Sequence, residues 1–350
     1  MDFDFTEQSP KLMMLLWGLI AFAVVVGGLL VLLDAVPAFF ARRREARFAT
    51  AAASGAPPPR QGGSQEGLFA TFFLLPAVLL LLIGLVVPAI RTTLLSFMDG
   101  GSQNWVGLDN YRWMFSDDSI VRVLINTLVW VTLVPLVATS IGLIYAVMVD
   151  KARLEAVAKS LIFMPMAISF VGASIIWKFV YAFRSEEQEQ IGLLNQILVS
   201  LGGQPQQWLL DSPLNTLLLI VIMVWIQAGF AMVVLSAAIK AIPADIVEAA
   251  RLDGVSPWQM FWQITLPSIR PALIVVVVTI SIATLKVFDI VRTSTNGNYD
   301  TSVIANEMYN QAFRYGQNGQ GSALAVFLFI LVIPIVIFQI RNLRQQRREG

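Results

Sequence analysis

Two ionisable side chains, Lys286 and Asp289, stand near the end of a long apolar run, where charged groups are costly and often functional. Their three-residue spacing puts them on one face of a helix, so the two groups can pair. Lys286 lies about 22 Å along such a helix from Pro271, in the outer half of the run. We interpret the pair either as a structural ion pair near the surface or as part of the lining of a polar cavity.

Amide and indole side chains occupy other apolar runs. Asn126 and Trp130 share a helix face at four-residue spacing. Gln227 lies beside Trp225 in the middle of a run, and Trp177 lies in the outer half of another. Aromatic faces and amides suit a sugar, whose C–H faces are apolar and whose hydroxyls need hydrogen bonds. The alternative is that the tryptophans face lipid or an interface, and that the amides join neighbouring helices.

Several kinds of chemistry are missing. The chain has no cysteine and no histidine, which excludes disulfides, thiolate and imidazole catalysis, and His- or Cys-based metal sites. No lysine follows a glycine, so the phosphate-binding P-loop is absent. We therefore predict no catalytic residue, no metal site and no bound cofactor in this chain. ATP and Mg²⁺, if they drive its activity, are used by another subunit. The net charge of +1 does not indicate nucleic-acid binding.

The composition predicts a lipid-embedded, all-α bundle of transmembrane helices. Hydrophobic residues make up 57% of the 350 residues and charged residues 13%, against about 25% charged in soluble proteins. Seven apolar runs are long enough to span a bilayer, which takes about 20 residues. The first is too long for a signal peptide and reads as a retained anchor. The predicted spans are 12–33, 68–90, 122–149, 160–183, 213–239, 271–291 and 321–340.

Lysine and arginine counts predict the orientation. The connections on one side of the membrane hold 15 of the 24 Lys and Arg residues, and the richer side is cytoplasmic. The N-terminus is then outside and the C-terminus inside. The Ala-, Gly- and Pro-rich linker separates an extra span from a six-span core. The predicted regions are an external tail and extra span (1–40), a cytoplasmic linker (41–67), the core (68–341) and a basic tail (342–350).

The connection at 243–267, predicted to be cytoplasmic, carries strong folding signals. Pro243 suits the first turn of a helix, and residues 244–252 contain good helix formers without a breaker. Gly254 is placed to end that helix in a left-handed conformation. The pattern predicts a helix followed by a one-glycine corner.

A second helix is predicted to follow at once. Ser256 is a candidate N-cap, Pro257 suits the first helical position, and Gln259 completes a capping box. Leu266-Pro267 is expected to stop this helix. Three aromatic side chains should pack under the loop or lie at the membrane interface: Trp258, Phe261 and Trp262. A loop that merely caps the bundle would explain these signals equally well.

The spacing of this segment resembles the EAA loop of binding-protein-dependent ABC transporter permeases. Glu248-Ala249-Ala250 is followed after three residues by Gly254, and after nine more by Ile264-Thr265-Leu266-Pro267. In that family the loop docks into a cleft of the cytoplasmic ATPase subunit. The resemblance assigns docking to Glu248, Ala249, Ala250 and Gly254. It assigns the fixing of the second helix to Ile264, Leu266 and Pro267.

Other stretches are similar to the carbohydrate-uptake permeases of this family. These are 106–111, 126–127 and 286–290, whereas 163–173 and 295–297 look most like the α-glucoside branch. The resemblance covers about 68–341. It implies a multi-pass permease in a bacterial inner membrane that carries an α-glucoside such as maltose or trehalose. The implied partners are a second permease subunit, two ATPase subunits and an external solute-binding protein.

Two rival functions remain from the sequence. An ion-coupled secondary transporter would favour acidic groups deep in several spans, whereas only Asp289, near the end of a span, is of this kind. A non-transporting membrane scaffold would need neither a capped loop nor polar groups in several spans. The sequence therefore favours a transporter subunit that is not itself an enzyme.

Overall fold

The computed structural model describes residues 13–14, 16–20, 27–28, 74–149, 154–185 and 187–349, with side chains up to 342. The predicted linker, and all but short pieces of the predicted first span, lie outside the described residues. The chain divides into two compact units, Met1–Pro88 and Ala89–Gly350. The structure below concerns the second unit, together with the helix that crosses their boundary.

Helices make up nearly all of the regular structure in the described part. The first half of the chain contributes α1 Leu74–Leu95, α2 Asp109–Ser116, α3 Asp118–Val149, α4 Glu155–Phe163, α5 Phe170–Val180 and α6 Leu193–Ser200. The second half contributes α7 Leu214–Lys240, α8 Ala244–Leu252, α9 Pro257–Ser268, α10 Arg270–Leu285, α11 Asp289–Ser294, α12 Ile304–Tyr309 and α13 Asn318–Glu349.

Four of these helices are long and apolar enough to cross a membrane on their own: α1, α3, α7 and the Asn318–Asn342 part of α13. They confirm helices at the predicted spans 122–149, 213–239 and 321–340 and over the described part of the predicted span 68–90. Two further spans are possible if each of two bent helix pairs crosses once. The described residues therefore supply four to six spans of an all-α membrane bundle.

The predicted span 160–183 corresponds to two helices that together are long and apolar enough to cross a membrane. It is a bent pair, Glu155–Ala167 and Phe170–Val180, with 101° between the two parts. A 3₁₀ turn at Met164–Ala167 contains Pro165 and ends the first part. Ser169 then caps a new helix by accepting a hydrogen bond from the Gly172 N–H at 3.1 Å. The proline and this cap together redirect the chain.

The core is organised around α7, the most buried of the long helices. It packs against α3 where Gly142 faces Ala228, Ala231 and Met232. A Cβ at Gly142 would meet the Ala231 Cβ at 2.4 Å. Gly229 faces the Ile162 carbonyl in the same way, with a Cβ distance of 2.6 Å. Small residues let membrane helices approach closely, and here they join α3, α4 and α7.

Candidate functional site

The connection after α7 folds as predicted in its first half. Helix α8 covers Ala244–Leu252, and Pro243 is its N-cap with φ −56° and ψ 134°. The prediction that Pro243 lies in the first turn is therefore wrong by one position. Gly254 has φ +77°. Its N–H donates to the Arg251 carbonyl at 3.1 Å, and the Val255 N–H donates to the Ala250 carbonyl at 3.1 Å. This is a Schellman motif, which satisfies the last carbonyls of the helix.

The second half begins with the predicted capping box. The Gln259 N–H donates to Ser256 Oγ at 3.3 Å, and the Ser256 N–H donates to Gln259 Oε1 at 3.0 Å. The predicted stop at Leu266-Pro267 is off by one residue, because Leu266 keeps helical dihedral angles and the helix ends at Ser268. A wide π-helical turn at Met260–Thr265 precedes Pro267. In a regular α-helix the proline ring would clash with the carbonyl four residues earlier. The chain instead bends by 67° between Ser268 and Arg270.

The segment 243–268 is called the coupling loop below, after the role that the EAA resemblance implies. Its surface mixes polar and apolar groups. Glu248, Ala249 and Pro267 are exposed, Ala250 is buried, and Ile264 and Leu266 are half-buried. Leu252 is 88% exposed. Trp258 is 71% exposed and stacks edge-to-face on Trp262 at 5.6 Å, so packing under the loop is wrong for Trp258. Exposed apolar groups beside a rigid helix corner are typical of a surface that a partner covers.

An ion-pair cluster that sequence reasoning missed holds the base of the coupling loop. Glu155 at the start of α4 pairs with Lys159 at 2.8 Å and also with Lys240, the last residue of α7. Lys159 in turn donates to Ser236 of α7. The four-residue spacing of Glu155 and Lys159 was visible in the sequence. The link to Lys240 was not, because it depends on how α4 packs against α7.

Two of the predicted pathway tryptophans meet in the structure. Trp177 of α5 and Trp225 of α7 form an edge-to-face pair with ring centroids 5.8 Å apart. Tyr181 adds a third ring, 5.3 Å from Trp177, and its hydroxyl donates to the Leu218 carbonyl at 3.0 Å. Trp177 and Trp225 are half-buried and pack on the core.

Gln227 is the predicted pathway residue with the most unusual surroundings. It is only 9% exposed, yet its side chain forms no hydrogen bond with any described residue. Its amide atoms are not among the fully enclosed unpaired polar atoms of the described structure, so solvent can reach the amide. It lies two residues from Trp225 on α7, so the two side chains leave the helix on nearly opposite sides.

Asn126 and Trp130 have different environments despite sharing a helix face. The Asn126 amide donates to the carbonyls of Asp300 at 2.6 Å and Ser302 at 3.0 Å. Trp130 is fully buried in the core, with its indole N–H unpaired among the described residues. Neither residue faces lipid as an interfacial tryptophan would.

The pairing expected for Lys286 and Asp289 is wrong. Helix α10 ends at Leu285, and Asp289 is the first residue of α11. The helical spacing rule therefore does not apply across Lys286–Phe288. Lys286 is exposed while Val287 is buried in the core, and no ion pair joins Lys286 to Asp289 in the described structure.

A second polar cluster, also missed from sequence, joins α11 to α12 and the turn that follows it. The Arg292 guanidinium donates to Asn310 Oδ1 at 2.9 Å and lies 4.7 Å from the centre of the Tyr309 ring. Glu307 accepts from Gln311 at 2.8 Å and from Asn310 at 3.4 Å. The spacing of Glu307, Asn310 and Gln311 on one helix face was the available signal.

Several proteins that are similar in sequence to this chain are transport permeases. An osmoprotective-compound uptake permease of Synechocystis sp. is 53% identical over 75% of this chain and 95% of its own length. An α-glucoside transport system permease of Rhizobium meliloti is 49% identical over 75% of this chain and 78% of its own length. A trehalose/maltose transport system permease of Thermococcus litoralis is 29% identical over 76% of this chain and 90% of its length.

A solved structure shares the fold. It belongs to a bacterial ABC transporter involved in the import of the acidic polysaccharide alginate, with a TM-score of 0.70 and 24% identity. The match covers 80% of this chain and 96% of that one. The family model for the inner membrane component of binding-protein-dependent transport systems matches residues 138–349, which include the whole coupling loop. The chain therefore belongs to this family of multi-pass inner-membrane permeases and is a transporter subunit.

Proposed function

We propose that this permease moves an α-glucoside, of the maltose or trehalose type, into the cell, and that ATP hydrolysis on a partner subunit drives it. The observation that carries the proposal is the coupling loop. Its two helices are fixed by a Schellman motif and a capping box, and they leave Glu248 and Ala249 exposed. A rigid, exposed corner is suited to a soluble partner, because little ordering entropy is lost on docking.

The partner supplies what this chain lacks. Without a P-loop the chain has no phosphate-binding motif of that type, so ATP and Mg²⁺ belong to the subunit that docks on the loop. By family resemblance, two such ATPase subunits, a second permease subunit and an external solute-binding protein complete the transporter. The coupling residues are Glu248, Ala249, Ala250 and Gly254, with Ile264, Leu266 and Pro267 in the second helix.

Movement of the loop has a direct route into the membrane. Lys240 ends α7, and only Ala241, Ile242 and Pro243 separate it from α8. The Glu155 ion pairs join the same point to α4. A displacement of the docked loop therefore tilts α7 and α4 together, which is the movement that alternating access requires. The proposed orientation places the N-terminus outside and the C-terminus in the cytoplasm, as the Lys and Arg distribution indicates.

The solute pathway is proposed to pass Gln227. The Gln227 amide has no partner among the described residues and is accessible to solvent, so it can donate to and accept from sugar hydroxyls. The Trp177–Trp225 pair lies on the other side of α7 and supports the wall of the pathway. The substrate class rests on the names of the relatives, two of which transport α-glucosides or trehalose and maltose.

Uptake by the assembled transporter in proteoliposomes tests both halves of the proposal. Gln227→Leu keeps the side-chain volume and removes the hydrogen bonds, so the KM for maltose should rise about 2- to 12-fold, the value of one hydrogen bond. Gln196→Leu, at an exposed position on α6, is the matched control and should leave KM unchanged. If the uptake of labelled maltose and trehalose does not depend on this chain, the substrate assignment is wrong.

The coupling half is tested by binding. Glu248→Ala should weaken recovery of the ATPase subunit by the solubilised permease and should lower uptake. Recovery of no nucleotide-binding subunit by the unmodified protein, together with intact uptake by Glu248→Ala, would contradict the ABC mechanism. Such a result would favour an ion-coupled transporter or a scaffold.

A further inference from the structure

Two short motifs far apart in the sequence meet in one place. Asn126-Thr127 lies in α3, and Thr295-Asn296-Gly297 opens the turn between α11 and α12. The Asn126 amide donates to the carbonyls of Asp300 and Ser302, 174 and 176 residues away. Thr127 Oγ1 accepts from the Ile304 N–H at 3.0 Å, where α12 begins. Both motifs therefore belong to a single structural unit.

The turn at 295–303 has an unusual backbone. Asn296, Tyr299 and Asp300 have φ values of 60°, 56° and 59°, and Gly297 has φ 80°. Left-handed conformations are rare for residues other than glycine, above all for a bulky residue such as Tyr299. At Gly297 a Cβ would meet Asn306 Nδ2 at 2.2 Å. Strained backbone persists only where surrounding contacts determine it fully.

Helix α7 and a second residue of α3 supply further contacts to this turn. Asn215, fully buried near the start of α7, donates to the Tyr299 carbonyl at 2.7 Å. Arg122 of α3 pairs with the Asp300 carboxylate at 2.8 Å. We name the turn 295–303 and these contacts from Arg122, Asn126, Thr127 and Asn215 the turn clasp. Through it the outer ends of α3 and α7 are bonded to the same strained turn.

The position of the clasp on α7 is informative. Asn215 is the second residue of the helix, and Lys240, next to the coupling loop, is the last. The two are about 38 Å apart along a helix with a rise of 1.5 Å per residue. The middle of α7 packs on α3 through Gly142 and Ala231. Helix α7 thus connects the coupling loop at one end to the clasp at the other.

We propose that Asn126 and Asn215 are positioning residues that transmit movement of the coupling loop to the outer end of the permease. This inference rests on the proposed function. Because the clasp bonds α3 and α7 to one turn, a tilt of α7 carries the outer end of α3 with it. Without the clasp, the outer ends separate locally and ATP is hydrolysed without an equivalent movement outside.

The test replaces each amide by an isosteric carboxylate. Asn126→Asp and Asn215→Asp, singly and together, remove the donors and place an anion beside a carbonyl oxygen. In proteoliposomes, we expect the double variant to import about tenfold less sugar per ATP hydrolysed, within the range typical of coupling between sites. Asn298→Asp is the matched control: Asn298 is exposed in the same turn, and its side chain makes no hydrogen bond in the described structure.

The ratio of import to hydrolysis separates coupling from folding. If import and hydrolysis fall in parallel, the amides serve only folding or assembly, and the inference is overturned. If neither import nor hydrolysis changes, the inference is overturned too. Tyr299→Gly adds a rescue, because glycine occupies the left-handed region without strain. It should restore part of the import per ATP in Asn215→Asp, and no recovery would show that Asn215 does not act through Tyr299.

A measurement without sugar keeps the clasp distinct from the substrate class. The chain has no native cysteine, so a spin label attached to the Asn298→Cys chain before assembly reports on the turn alone. Addition of ATP to the assembled transporter should shift the spectrum of this label. The double variant should lose the shift, and a shift that survives there would refute the role of the clasp. Failure of maltose and trehalose uptake by the unmodified transporter would refute only the proposed substrate.

Discussion

Gly254→Ala is the sharpest test of the coupling loop. Gly254 has φ +77°, and a Cβ built there would meet nothing within 4 Å. Space is therefore not the difficulty, and the cost is that of the left-handed backbone itself, about 1–2 kcal/mol for a residue with a Cβ. If the ATPase subunit binds only the corner conformation that the Schellman motif holds, the free energy of binding becomes less favourable by the same amount. This change lowers the affinity by roughly 5- to 30-fold, at 1.4 kcal/mol for each factor of ten.

The assay is the affinity of the purified ATPase subunit for the solubilised permease, measured by surface-immobilised binding. Gly202→Ala is the matched control, since Gly202 has φ +85° and also has nothing within 4 Å of a built Cβ. It carries the same backbone cost in the turn after α6, away from the coupling loop. Gly254→Asn should bind better than Gly254→Ala, because asparagine tolerates the left-handed region. Equal affinity of Gly254→Ala and the unmodified protein would refute the reasoning, as would an equal loss in Gly202→Ala.

Two further predictions concern the cap of α9 and the core. Ser256→Ala removes the acceptor for the Gln259 N–H and should destabilise the start of α9 by about 1 kcal/mol. Faster hydrogen exchange at Gln259 would reveal this loss, and unchanged exchange would contradict it. Gly142→Ala places a methyl group 2.4 Å from the Ala231 Cβ and should lower stability by about 1–3 kcal/mol, seen as a lower Tm in detergent. Gly101→Ala, where the nearest atoms would lie at 3.8 Å, should leave the Tm unchanged.

Helix α7 carries functional candidates at both of its ends and in its middle. In the proposed orientation, its inner end carries the Lys240 ion pair and leads into the coupling loop. Its middle presents Gln227 without a protein partner, and its outer end donates from Asn215 to the strained turn. Under the proposed function, a movement of the coupling loop therefore passes Gln227 and reaches Asn215 through one helix.

Local features of the coupling loop were predictable from spacing. The capping box of Ser256 and Gln259 and the left-handed Gly254 are both present where the sequence placed them. These signals act over three or four residues, so they need no knowledge of the surrounding fold. Leu266-Pro267 shows the limit of such rules. The rule assumes that the residue before proline is forced out of the helix. Here a π-helical turn relieved the steric clash of the proline, and the helix continued to Ser268.

The pathway residues were less predictable because their roles depend on packing. Lys286 and Asp289 had ideal helical spacing, yet the helix ends before Lys286. Asn126 looked like a pathway amide and is held by carbonyls of a distant turn. Only Gln227 combines the predicted position with an amide that has no partner among the described residues and is open to solvent.

The sequence by itself determined the membrane class, most of the apolar spans and the capped corner at Gly254. Each of these depends on hydrophobic length or on contacts within one turn of helix. The tertiary structure alone decided that Trp177 meets Trp225, that Glu155 pairs with Lys240, and that Asn126 reaches Asp300. Such contacts join residues tens to hundreds of positions apart. They depend on helix crossing angles and close approaches at small residues, which no local spacing encodes.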